Sequence, residues 1–67
     1  MTIFYNNEPL KLPSDNFTLE ELAELKQIPQ QGAAIALNDR LIKREKWSVT
    51  NLKDMDNVTV ITAAFGG

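Results

Sequence analysis

Between Thr18 and Pro29 the chain allows one helix, and only a short one. Thr18 stands where an N-cap hydroxyl accepts a hydrogen bond from the first turn, and Glu21, three residues on, completes a capping box. Phe17 and Leu22 occupy the two positions of a hydrophobic staple, and Glu20 and Glu21 suit the positive helix end. Leu19, Leu22, Ala23 and Leu25 form the apolar stripe, and the pattern runs to Lys26 or Gln27. Pro29 then stops it and restricts Ile28 before it. A helix of about nine residues is marginal by itself, so packing on a sheet has to stabilise it.

The flanking segments supply that sheet. Residues 2–6 (Thr-Ile-Phe-Tyr-Asn) are β-branched and aromatic, and Asn6-Asn7-Glu8 is a turn signal. Residues 10–12 (Leu-Lys-Leu) alternate and read as the return strand of a hairpin. Ile3 and Tyr5 then share the core face, and Phe4 points away from it. Pro13 to Asn16 is a loop, as is Gln30-Gln31-Gly32. Residues 33–37 (Ala-Ala-Ile-Ala-Leu) are ambiguous in propensity, but the short run between Gly32 and Asn38-Asp39 favours a strand. Ile35 and Leu37 share one face of it, Ala34 and Ala36 the other. The alternation does not tell which face the helix covers. Leu41-Ile42 reads as a short strand, and Trp47 as core. After the turn Lys53 to Asn57, residues 58–62 (Val-Thr-Val-Ile-Thr) are the clearest strand, with Val58 and Val60 inward and Ile61 outward.

One helix covers only one face of such a sheet, so the expected class is an α+β roll with its other face open to solvent. A last strand lying centrally beside the first would anchor both chain ends. A ferredoxin-like half and an SH3-like barrel are the alternatives. The single helix argues against the first, and the capping box against the second.

At 67 residues the chain is one domain, with a core too small to enclose a deep substrate cleft as well. It has no cysteine and no histidine, which removes the thiol nucleophile, the commonest general base and the commonest zinc ligands together. A net charge of −2 and a pI near 4.9 do not fit a nucleic-acid binder. Arg40, Lys43, Arg44 and Lys46 read as a solvated loop, or alternatively as a patch for an acidic partner surface. No stretch approaches the roughly 20 apolar residues of a membrane span. Residues 1–5 read as structure rather than targeting, so the expected location is cytoplasmic.

The remaining feature is the tail Ala63-Ala64-Phe65-Gly66-Gly67. Two glycines without Cβ atoms are thin enough to enter a narrow channel and present a carboxylate to a reactive phosphate. A frayed end or an appended scar is the ordinary explanation of such a dipeptide. Its place directly after a strong strand favours a functional finger on a rigid base.

Taken in order, these segments resemble the ThiS family, the sulfur carriers of thiamine (thiazole) biosynthesis with a ubiquitin-like β-grasp fold. The resemblance rests on the opening strand and turn Met1 to Asn7, Thr18-Leu19-Glu20-Glu21-Leu22, Ala34-Ile35-Ala36-Leu37-Asn38, Arg44-Glu45-Lys46-Trp47, Asp54-Met55-Asp56 and the closing Gly66-Gly67. It implies a mixed sheet of four to five strands on one main helix over residues 1–62, and a flexible tail over 63–67. Met55 departs from the family's turn glycine. If that position needs positive φ, methionine is strained there. Phe65 departs from the small or branched residues common in the family's tails.

The resemblance also implies a function. The carboxylate of Gly67, preceded by Gly66, is adenylated by a ThiF-like activating enzyme that uses ATP and magnesium. A cysteine desulfurase route converts it to a thiocarboxylate, and a ThiG-like thiazole synthase takes the sulfur. The chain would then be a cosubstrate rather than an enzyme, binding no cofactor or metal of its own. Phe4, Ile61 and Phe65 are the candidate docking residues, the aromatic ones best suited as anchors. The alternatives are the carrier subunit of molybdopterin synthase, a ubiquitin-like modifier, and an interaction domain with an incidental glycine end.

Overall fold

The computed structural model describes residues 1–29 and 31–62. Two tight turns set its strand registers. Asn6 and Asn7 (φ 49° and 70°) join β1 (Thr2–Tyr5) to β2 (Glu8–Lys11). Asn38 and Asp39 (φ 50° and 68°) join β3 (Ala33–Leu37) to β4 (Arg40–Ile42). Two-residue loops with both φ positive match the twist of a hairpin, and Asn and Asp tolerate that conformation best after glycine. Because the first loop needs only two residues, β2 begins at Glu8 rather than at residue 10. It therefore includes Pro9, which is admissible on an edge strand because no neighbour needs its missing N–H.

β5 (Asn57–Thr62) completes a five-stranded sheet in the order β2-β1-β5-β3-β4. It runs parallel to β1, with Phe4 level with Asn57 and Tyr5 level with Val58, and antiparallel to β3 from Leu37↔Val58 to Ala33↔Thr62. The last strand is central and lies beside the first.

α1 (Leu19–Leu25) has the reciprocal capping box: the Glu21 amide donates to Thr18 Oγ1 (3.1 Å), and the Thr18 amide donates to Glu21 Oε1 (2.9 Å). Its C-terminus closes as a Schellman motif. Gln27, at φ 55°, donates to the Glu24 carbonyl, and Ile28 donates to the Ala23 carbonyl (2.8 Å). This brings Ile28 into the core. Leu25, placed on the apolar stripe by the sequence pattern, is instead half exposed. In a helix this short, Leu19, Leu22 and Ala23 fill the contact with the sheet, and Ile28 takes the next place.

The helix covers the Ile35 and Leu37 side of β3. Ile3, Leu19, Leu22, Ile35, Trp47 and Val58 are the largest fully buried side chains. Trp47 sits in a 3-10 helix, Arg44–Val49, which the sequence does not announce. Its indole N–H donates to the Ile42 carbonyl (3.1 Å), and the Arg44 guanidinium lies 4.7 Å above its ring while pairing with Glu20 (3.1 Å). Arg44 is thus a packing residue and not part of a solvated loop. A chain of this length is stable by roughly 3–10 kcal/mol. Truncating a buried Trp costs about 3–5 kcal/mol, so Trp47→Ala is expected to remove a large part of the stability, read as a strongly lowered urea midpoint by circular dichroism.

Met55 adopts φ 70°, so the turn keeps the shape that suits glycine and the methionine pays the strain. The turn is held from both sides. The Met55 amide donates to the Thr2 carbonyl (2.6 Å), the Thr2 amide donates to Asp54 Oδ1 (2.8 Å), and the Lys53 amide donates to Asp56 Oδ2 (2.8 Å). Met55→Gly is expected to stabilise the fold by up to about 1 kcal/mol, less what glycine loses by loosening the unfolded chain. Urea unfolding of the two proteins measures the difference.

Candidate functional site

The strand that leads to the tail is fixed on both flanks by asparagine side chains. On the β3 side, Asn38 accepts from the Asn57 amide (2.9 Å) through Oδ1 and donates through Nδ2 to Asp56 (3.0 Å). On the β1 side, the Asn6 amide donates to the Val58 carbonyl (2.9 Å), and Asn6 Oδ1 accepts from the Val60 amide (2.7 Å). The backbone of β1 has already turned away there, so the side chain of a turn residue supplies the next rung of the ladder. The base of the tail is therefore held up to Thr62. Phe65, Gly66 and Gly67, and with them the carboxylate expected to react and the tail boundary expected at residue 63, lie outside the described residues.

The outer face of the sheet carries the other expected site residues. Phe4 lies on β1, partly buried, opposite Pro9 on β2. Ile61 lies on β5 opposite Ala34 and is 64% exposed. The two share a face but not a spot: Ile61 is four residues beyond Asn57, the neighbour of Phe4, or about 13 Å along the strand. Sequence reasoning missed Leu41. It projects from β4 opposite Ala36 and is 68% exposed. Ala34 and Ala36 thus form a low floor between Ile61 on one neighbouring strand and Leu41 on the other. With Ile42 packed against the core, alternation along β4 turns Leu41 outward. Large exposed apolar residues that flank small ones form a surface to which another protein can fit closely.

Nothing else in the described residues gathers chemistry. No group of three or more His, Cys, Asp or Glu side chains could hold a metal ion among them. No helix among them is long and apolar enough to cross a membrane. A depression of about 250 Å³ between α1 and the 3-10 helix is lined by Glu20, Glu24, Arg44 and Trp47; Arg44 Nη2 pairs with Glu20 there, while the buried Arg44 Nε has no hydrogen-bond partner among the described residues.

A five-stranded mixed sheet wrapped on one helix, with the first and last strands parallel at its centre, defines the ubiquitin-like β-grasp class. Known structures agree. The crystal structure of thiamine biosynthesis protein ThiS from Geobacter metallireducens matches with a TM-score of 0.85 at 25% identity, covering all of both chains. A solution structure of a thiamine biosynthesis protein from the same organism matches with a TM-score of 0.84 at 23% identity, covering all of this chain and 88% of that one, and bears on the fold alone. The family model of the ThiS family matches residues 3–67. Sulfur carrier protein ThiS of Escherichia coli (strain K12) is 30% identical over 67 residues, the full length of each. The chain belongs to the ThiS family.

Ile61 and Leu41 add little to the fold, because their side chains stay in water. Ile61→Ser and Leu41→Ser are each expected to shift stability by less than about 0.5 kcal/mol. Asn6→Ala, which strips the Val60 amide of its acceptor and puts alanine at a positive φ, should cost about 2 kcal/mol. Urea titration of the three variants measures these differences.

Proposed function

We propose that this protein is a sulfur carrier of thiamine biosynthesis and that its one reactive group is the carboxylate of Gly67. The observation that carries this reading is the extent of the family match, which runs through residue 67 and so takes in Gly66 and Gly67. The Escherichia coli protein matched over its whole length is named a sulfur carrier, and the Geobacter metallireducens structure a thiamine biosynthesis protein.

The chemistry follows from the poor reactivity of a carboxylate, whose oxygens resist displacement. A carboxylate oxygen of Gly67 attacks the α-phosphate of ATP and releases pyrophosphate. A sulfide-level nucleophile then adds to the carbonyl carbon and expels AMP, leaving a thiocarboxylate. A thiazole synthase passes the sulfur to its substrate, and an oxygen from the substrate's carbonyl or from water takes its place on the Gly67 carbonyl carbon, which regenerates the carboxylate. The activating enzyme brings the base, magnesium and electrostatic stabilisation, and this chain, without cysteine or histidine, brings a positioned terminus. The outer sheet face docks it, with Ile61 and Leu41 about the alanine floor and Phe4 further along; Phe65 is assigned to the same role. The protein is accordingly a cosubstrate acting in the cytoplasm.

Incubation with the adenylating enzyme, magnesium-ATP and a sulfur source should raise the intact mass by the difference between one sulfur and one oxygen. Removal of Gly66 and Gly67 should abolish that gain and leave the urea unfolding curve unchanged. An unaltered mass together with no pyrophosphate release would reject the carrier reading. Ile61→Asp should raise KM for the carrier in pyrophosphate release about tenfold or more, as expected for a charge placed in an apolar contact.

A further inference from the structure

The sheet has an open edge beside the start of the tail. β1 pairs with β5 only as far as Tyr5↔Val58, whereas β3 follows β5 to Thr62. Backbone groups of alternate residues in a strand point to the same side. The Val58 carbonyl and the Val60 amide are engaged on the β1 side by Asn6, so the Val60 carbonyl and the Thr62 amide point that way too. Beyond Asn6 no strand among the described residues stands opposite them. Among the described residues, neither group has a hydrogen-bond partner. The ladder to β3 does not use them, because it takes the odd-numbered residues of β5: the Asn38 amide donates to the Asn57 carbonyl (2.7 Å) on that side.

Open edges are ordinarily blunted. Here the two outer edges are blunted: β2 carries Pro9, and β4 is three residues long. The open stretch on β5 is internal, short, and continuous with the segment that a partner must take in. We infer that the Val60 carbonyl and the Thr62 amide are a strand-addition site. An extended segment of the adenylating enzyme would pair there, end to end with β1. Main-chain pairing of this kind fixes direction and register without demanding particular side chains. It would fix the direction of β5 on the enzyme, which the apolar contact about Ile61 and Leu41 alone does not do. The occupant is the enzyme rather than a second copy of this chain, because a second copy lying along this edge would obstruct the tail it has to release. The inference rests on the carrier reading above.

Thr62→Pro removes the single N–H in question and spares the pairing with β3, since proline is tolerated where a strand N–H faces outward. Thr62→Ala is the reference for the lost side chain. Thr62→Pro is expected to release pyrophosphate with kcat/KM about three- to tenfold below Thr62→Ala, the size of one hydrogen bond. Proline also stiffens the chain, so amide exchange of the unaltered protein gives an independent measurement. The Thr62 amide should exchange freely in the isolated carrier and become protected when saturating adenylating enzyme is added. Equal exchange with and without enzyme, or equal kcat/KM for the two variants, would sink the strand-addition site while leaving the carrier chemistry standing. Protection that rises with carrier concentration in the absence of enzyme would assign the edge to self-pairing and also overturn the inference. Failure of any mass gain at Gly67 is a separate result and bears on the carrier reading alone.

Discussion

The structure depends on a junction between residues that are more than fifty positions apart in the chain. β1 and β5 meet in parallel over just two aligned pairs, Phe4↔Asn57 and Tyr5↔Val58, too little to hold a sheet together by strand pairing alone. Groups at both ends lengthen the junction. At one end the turn around Met55 grips both backbone groups of Thr2 through the Met55 amide and the Asp54 carboxylate. At the other, Asn6 lends its side chain to Val60. Between them Ile3 and Val58, both fully buried, press against the helix. The strain at Met55 persists because the hydrogen bonds around it over-determine the turn.

Much of this was legible in the sequence, and for local reasons. The Thr18 to Glu21 capping box, the alternation of Ile3 and Tyr5 and the run Val58 to Ile61 are short-range signals that agree with the final packing. The features that were not legible depend on distant partners. Leu25 belongs to the helical stripe, but whether it meets anything depends on how far Ile28 folds back. Arg44 lies in a run of charges, and only the position of the Trp47 ring and of Glu20 on another helix makes it a packing residue. The 3-10 helix has no periodicity long enough to read. Asn6 looked like a turn residue and is one, but its service to Val60 required the parallel register to be known.

The site was legible to a different degree. The outward face of Ile61 followed from alternation, and the small face of β3 was visible as Ala34 and Ala36. That these lie beneath Leu41 as well needed the strand order. The separation of Phe4 from Ile61 along the sheet could not be read either, because two outward residues on different strands carry no mutual register until the strands are paired. The apolar surface therefore divides into a cluster around the alanine floor, near the exit of β5, and a lone aromatic nearer the turn at Met55.

The central place of β5 also governs how the molecule comes into being. Every other element can find its local partner early: the two hairpins close over two-residue turns, and the helix carries its own caps. None of them can assemble into one sheet until β5 arrives, since β5 alone lies between the β1–β2 pair and the β3–β4 pair. Contacts of such long sequence separation make folding slow for its size and all-or-none. A chain that stops short of Asn57 is thus two unjoined hairpins and a marginal helix, open to proteolysis as an unfolded polypeptide.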